Sequence, residues 1–221
     1  MKITILTLFP KIFDNFLETS IIKNIIKDKI ATIKIVNFRD YSKQKNKQVD
    51  DYAYGGGAGM VLMLQPLVDA IKDNKTKNTK VILLSPQGIP YKQQHARTLA
   101  KEKDIILIAG HYEGFDERIN NYVDEVISIG DYILTGGEIP AMVIVESVVR
   151  LLENGISKQS LDSESFDNNL LDYSVYTKPV TFEKYSVPEV LLSGNHKKIA
   201  EYRKEEQIKK TKKIRPDLFK K

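Results

Sequence analysis

Five short apolar runs set the fold of this chain: residues 3–8, 32–36, 81–84, 105–109 and 126–129. Each has the length of a strand and is mostly apolar, as expected of strands covered on both faces of a sheet. The intervening segments carry helical spacing. Residues 12–26 place Ile12, Phe16, Ile22 and Ile26 on one apolar stripe, and further helices are predicted over 64–72, 91–101 and 140–152, with Pro140 at a first helical position. Strands alternating with helices predict an α/β domain with a mainly parallel sheet. Ligands of such sheets bind beyond the carboxyl ends of the strands. That rule singles out three segments: Leu84-Ser85-Pro86-Gln87-Gly88, residues 109–114 and residues 129–137.

Composition narrows the chemistry. The chain has no cysteine, which excludes disulfides, thiol nucleophiles and cysteine-held zinc, and its three histidines (His95, His111, His196) have no metal-ligand spacing. No metal site is expected, and any Mg²⁺ would act without a protein cage. No apolar run approaches the roughly 18 residues of a membrane span. The amino terminus reads as a strand, not a signal peptide, so a cytoplasmic protein is expected. Positive charge is uneven. Residues 197–221 hold 11 Lys and Arg against 4 Asp and Glu, whereas the rest of the chain holds 23 against 25. Such a local excess suits a polyanion partner.

The polar, aperiodic stretch after Glu153 reads as a linker, and beyond it Asn195 is placed to cap a helix running through Tyr202 and Lys209. The glycine clusters fit no standard phosphate template: Gly55-Gly56-Gly57-Ala58-Gly59-Met60 lacks the Lys and Ser/Thr of a P-loop and does not complete a dinucleotide fingerprint. A flat ligand held by backbone groups is the better expectation, although a single glycine cluster more often marks a turn. Ser85 and Ser128 have no evident His and carboxylate partners, which disfavours covalent catalysis. Glu113, Asp116, Asp131, Glu138, Asp162 and Glu164 lie near these loops or in the linker, and each taken alone reads as a solvated charge. Arg150, near the end of an apolar helix, suits the helix dipole.

Taken in order, the motifs resemble one family. They are Leu8-Phe9-Pro10; Val49-Asp50-Asp51 with Tyr54-Gly55-Gly56-Gly57 and Gly59-Met60; Leu84-Ser85-Pro86-Gln87-Gly88; Gly110-His111-Tyr112-Glu113-Gly114 with Asp116-Glu117-Arg118; Ser128-Ile129-Gly130-Asp131-Tyr132 with Gly136-Gly137-Glu138; and Leu191-Leu192-Ser193-Gly194-Asn195-His196. The pattern resembles the bacterial tRNA (guanine-N1)-methyltransferases known as TrmD, of the SPOUT superfamily. This resemblance implies a parallel sheet with a carboxyl-terminal trefoil knot, a small helical carboxyl-terminal domain and a homodimer. It implies S-adenosylmethionine held by Leu84, Gly110, Tyr112, Glu113, Gly114, Ile129, Gly130, Asp131, Tyr132, Ile133, Leu134, Gly136 and Gly137. It further implies tRNA contacts at Asp50, Tyr54, Gly55 and Gly59.

The target implied is N1 of the guanosine just after the anticodon. Arg150 matches the arginine that polarises the guanine carbonyl. The matching general base is Glu164, where the family usually has aspartate, with Asp162 as the alternative. The expected division is a cofactor-binding knotted domain over residues 1–153, a flexible linker over 154–168 and a basic, tRNA-contacting helical domain over 169–221. Arg39, Lys43, Lys45 and Lys47 join the basic tail as expected phosphate contacts. Two other readings compete. An RNA-binding relative without catalysis is prompted by Glu164, and a Rossmann-type small-molecule enzyme is disfavoured by the failed fingerprints and the tail charge.

Overall fold

The computed structural model describes residues 1–153 and 165–219. Backbone packing divides the chain into two units, Met1–Ile156 and Ser157–Lys221. In the first, the strands are β1 (Lys2–Thr7), β2 (Thr32–Asn37), β3 (Asp50–Asp51), β4 (Val61–Leu62), β5 (Lys80–Pro90), β6 (Asp104–Ala109) and β7 (Glu125–Ser128). The helices are α1 (Asp14–Leu17), α2 (Ser20–Lys27), α3 (Leu64–Asn74), α4 (Gln93–Leu99) and α5 (Glu138–Val149). The five apolar runs form one sheet in the order β2-β1-β6-β5-β7, every pair parallel. The expected α/β architecture with a parallel sheet is observed.

Strand alternation explains why these runs lack the regular polar positions of a half-solvated strand. Side chains along a strand point to opposite faces. Ile3, Ile5, Ile82, Leu84, Ile105 and Leu107 enter one core with α2, α4 and α5, while Leu6, Val81, Leu83, Ile106 and Ile108 enter a second core with α3. Both faces of β6 are buried along its length. The sheet is therefore a stiff platform for whatever its loops carry.

Three expectations are corrected. The helix expected over 12–26 is interrupted: Thr19 is extended (φ −82°, ψ 134°), and its hydroxyl donates to Phe16 O at 2.7 Å in place of a helical bond. The buried face consequently uses Phe13, Ile22 and Ile25, and Ile12 is left exposed. Pro140 is the third residue of α5, not the first, a position where its missing N–H also costs nothing. Leu84-Ser85-Pro86-Gln87-Gly88 is not a loop after a finished strand but lies within β5. There the register jumps, so that Ile127 of β7 is the partner of both Leu84 and Ile89. A Cβ on Gly88 would stand 2.5 Å from the backbone N and C of Ile127, so the chain passes directly against β7 at this point.

The second unit contains a hairpin of β8 (Thr181–Phe182) and β9 (Tyr185–Ser186), then α6 (Glu189–Leu192) and α7 (His196–Ile214). Among its described residues the buried side chains are few, Leu170 and Thr211 among them. The Thr211 hydroxyl accepts Leu171 N–H at 2.9 Å and donates to Gln207 O at 2.6 Å. Asn195 caps α7 as expected, its Oδ1 accepting Lys198 N–H at 3.1 Å. Asn195→Ala should cost about 1 kcal/mol by removing this cap. The check is a chemical unfolding curve, with Asn195→Ser close to wild type and an unchanged Asn195→Ala midpoint counting against the cap. Among the described residues no helix is long and apolar enough to cross a membrane.

Candidate active site at the carboxyl ends of the strands

The loops leaving β6 and β7, with the bulged segment of β5, gather at one edge of the sheet around a cavity of about 670 Å³, within the range of about 300–1,000 Å³ usual for small-molecule sites. Its wall includes Leu84 from β5; Gly110, Tyr112, Glu113 and Gly114 after β6; and Ile129, Gly130, Tyr132, Ile133, Leu134, Gly136 and Gly137 after β7. Of the residues expected to hold a cofactor, only Asp131 is not in this wall. It is exposed on the same loop.

The glycines divide into two kinds. Gly55, Gly56 and Gly57 have positive φ and open space around them, so they serve a turn. Gly110, Gly136 and Gly137 are glycine because of close approach. A Cβ on Gly137 would stand 2.6 Å from Ala109 Cα, one on Gly110 2.1 Å from the Phe115 ring, and one on Gly136 2.2 Å from His111 Nε2. Gly137 N–H also donates to Gly110 O at 2.8 Å. The 129–137 loop is thus pressed against the 110–114 loop. At its start, the Ser128 hydroxyl donates to Gly130 O at 3.1 Å and Tyr132 N–H donates to the same carbonyl at 3.0 Å.

A second layer comes from the short β3–β4 hairpin, where Asp50 pairs with Leu62. Leu62 N–H donates to Gly114 O at 2.9 Å, Glu113 N–H to Met60 O at 3.0 Å and Asp116 N–H to Leu62 O at 3.1 Å. Gly59 consequently abuts Glu113, whose Cγ lies 2.4 Å from where a Gly59 Cβ would be. Tyr54 and Gly55 stand out on the exposed loop, and none of the four residues expected to contact tRNA lines the cavity itself. Arg118 Nε donates to Asp116 Oδ1 at 2.9 Å, and this hydrogen-bonded guanidinium holds the Asp116 carboxyl below its ordinary range. Lys43 and Lys47, expected at phosphates, pair here with Asp69 and Asp40, each at 2.8 Å.

One carboxylate departs from its sequence reading. Glu138, expected to be a solvated charge, is 3% exposed; its Oε1 accepts the Thr7 hydroxyl at 2.6 Å, and its Oε2 lies 2.7 Å from His111 Nε2. Its position in the first turn of a helix was the available signal, because that end of a helix favours negative charge. His111 and Thr135 also line the cavity and were not anticipated.

The proposed catalytic groups are placed differently. Arg150 is the carboxyl-terminal cap of α5, whereas Gly137 and Pro140 at the other end of that helix line the cavity. Twelve residues of α5 separate the two ends, roughly 18 Å at 1.5 Å per residue. Glu164 and Asp162 lie outside the described residues.

Comparison with known proteins decides the family. The sequence profile described as tRNA (Guanine-1)-methyltransferase TrmD matches residues 1–221. The chain belongs to that family. Relatives named tRNA (guanine-N(1)-)-methyltransferase include one from Malacoplasma penetrans, 63% identical over 99% of this chain and 97% of its own. Another, from Ureaplasma urealyticum, is 58% identical over 100% of this chain and 97% of its own; one from Spiroplasma kunkelii is 57% identical over 100% and 83%. The family and enzyme class expected from the motifs are borne out, over the full length of the chain.

Proposed function

We propose that this protein transfers a methyl group from S-adenosylmethionine to N1 of the guanosine immediately 3′ of the anticodon in tRNA, acting as a homodimer in the cytoplasm. The observation that carries the reading is the glycine-walled cavity, in a chain of tRNA methyltransferase family, into which the expected donor-binding residues converge. The cavity fits that donor chemically. Leu84, Ile129 and Leu134 offer apolar surface to a flat adenine, and Glu113 and Glu117 oppose positive charge. Any Cβ at Gly110, Gly136 or Gly137 would fill space that the packed loops occupy.

When bound, S-adenosylmethionine supplies an electrophilic methyl on a cationic sulfonium. The chain has to hold guanine N1 in line with it and take the N1 proton. Glu164 is the assigned general base: its carboxylate would accept the N1 proton, freeing the N1 electron pair to take the methyl, whose bonding pair to sulfur would stay with the departing thioether. Arg150 donates to guanine O6 and stabilises the negative charge that spreads there.

Two features of the first unit support a dimer. Arg150 lies at the end of α5 remote from the cavity, so a second copy is the direct way to bring it to a donor. Moreover, α5 is apolar nearly all round, yet Ile139 and Val143 are 53% and 41% exposed, and Phe9 and Ile12 are exposed nearby. A helix of this composition is normally covered. A trefoil knot is supported by the passage of the chain against β7 at Gly88 and of the 129–137 loop against Gly110. The basic unit over 169–221 and the linker over 154–168 would then present the anticodon stem, with Asp50, Tyr54, Gly55 and Gly59 on the guanosine side.

The test is transfer of labelled methyl from S-adenosylmethionine to a tRNA transcript, followed by mapping. Label at N1 of the guanosine 3′ of the anticodon is expected, and a transcript with adenosine there should take none. Label elsewhere, or none with a folded dimer, overturns the proposal.

A further inference from the structure

Among the described residues Glu138 is the most buried carboxylate at the candidate site, and it has no role in the chemistry proposed above. At a helix amino terminus its carboxylate could turn back to the free N–H groups of its own first turn. It does not. Its Oε1 accepts the Thr7 hydroxyl, which itself accepts Phe9 N–H at 2.9 Å, and its Oε2 bonds His111 Nε2. One side chain thereby ties together the end of β1, the loop after β6 and the start of α5.

The backbone around it is shaped for this contact. Gly136 is the residue whose Cβ would collide with both the His111 ring and Glu138 Oε2, at 2.2 and 2.5 Å. His111, Thr135 and Gly136 form part of the wall of the donor cavity, and they also face a second cavity of about 570 Å³ beside Phe9 and Ile139. The Glu138–His111 bond is therefore a strut inside the partition between the two cavities. Beyond it, Tyr132, Ile133 and Leu134 are exposed, and such a loop holds a ligand only as firmly as its anchored ends are fixed.

We propose that Glu138, acting through His111 and Thr7, is a positioning residue for the donor: it fixes the closing end of the 129–137 loop against Gly110, so that the cavity is formed before the donor arrives. The inference rests on S-adenosylmethionine being the ligand of this cavity. Glu138→Gln keeps the shape and one acceptor, but its neutral amide is a weaker partner for the imidazole. Titration calorimetry of the intact protein with S-adenosylmethionine should show affinity reduced about tenfold, which corresponds to about 1.4 kcal/mol. Steady-state KM for the donor should rise in parallel, with kcat at saturating donor within about twofold of wild type, because binding and not the chemical step is affected.

His111→Gln, which keeps an N–H in reach of Glu138, should lose clearly less affinity than His111→Leu, which should match Glu138→Gln. The double variant Glu138→Gln/His111→Leu should be no worse than His111→Leu alone, since both changes act on the same bond. If Glu138→Gln does not fold, the partly exposed His111 pair carries the test alone. Normal donor affinity in folded Glu138→Gln, or equal affinity of His111→Gln and His111→Leu, overturns the inference while leaving the methyltransferase reading intact. Failure of the wild-type protein to bind S-adenosylmethionine overturns both.

Discussion

Gly88→Ala should destabilise the first unit by about 3 kcal/mol or more and remove donor binding with it, a larger effect than one added methyl usually has. The reason is geometric. A Cβ at residue 88 would lie 2.5 Å from the N and C of Ile127 and 2.6 Å from the C of Val126. These are backbone atoms of a paired strand, so no rotamer change relieves the contact. Either β7 moves away from β5, breaking the pairing of Ile127 with Leu84 and Ile89, or the crossing does not form. Both outcomes widen the cavity floor, which includes Leu84, Ile127 and Ser128. For a protein of this size the loss corresponds to a thermal midpoint lower by roughly 6 °C or more.

Gly56→Ala is the informative comparison. That glycine has φ +82° and nothing within 4 Å of an added Cβ, so its cost should be limited to backbone strain of about 1–2 kcal/mol. Equal midpoints for Gly88→Ala and wild type would show that the chain does not pass against β7 as described.

This contrast marks how far the amino-acid sequence could be read. The sheet was legible because burial on both faces leaves a signal in the sequence: residues 105–109 are apolar at every position, and 3–8 at all but Thr4 and Thr7. The capped helix after Asn195 was legible because capping is local chemistry. What could not be read is what two distant segments do to each other. Gly88, Gly136 and Gly137 look like turn glycines in one dimension, yet they are required by approach of chain segments far apart in sequence. Glu138 failed for the same reason, since Thr7 is 131 residues away. Local pattern similarly joined α1 and α2 into one helix, because a stripe of apolar side chains does not register the extended backbone of Thr19. The candidate donor residues came from the family resemblance, and the glycine pattern alone reached no further than a strand-end site for a flat ligand.

Glu164→Gln should lower kcat about 10²- to 10⁴-fold, the usual contribution of a general base, while leaving affinity for S-adenosylmethionine within about twofold. The amide fills the same space but cannot take the N1 proton. Glu164→Asp should retain a substantial part of the rate, and Asp162→Asn should be near wild type; the reverse pattern assigns the base to Asp162. Mixed dimers then test where this carboxylate works. Leu134→Arg adds a cation to the wall of the cavity proposed for a cationic donor, so a chain carrying it should bind no donor but keep its Glu164. If Glu164 and Arg150 act on donor held by the other copy, coexpressing Glu164→Gln with Leu134→Arg restores one complete site per mixed dimer: donor wall from the first chain, base and arginine from the second. Activity should return to about a quarter of the wild-type rate per dimer when chains assort at random, since half of the dimers are mixed and each has one of two sites. If each chain instead contains its own whole site, both sites of every mixed dimer are defective and no activity returns. Arg150 stands at the far end of α5 from the donor cavity, which is why recovery is the expected result.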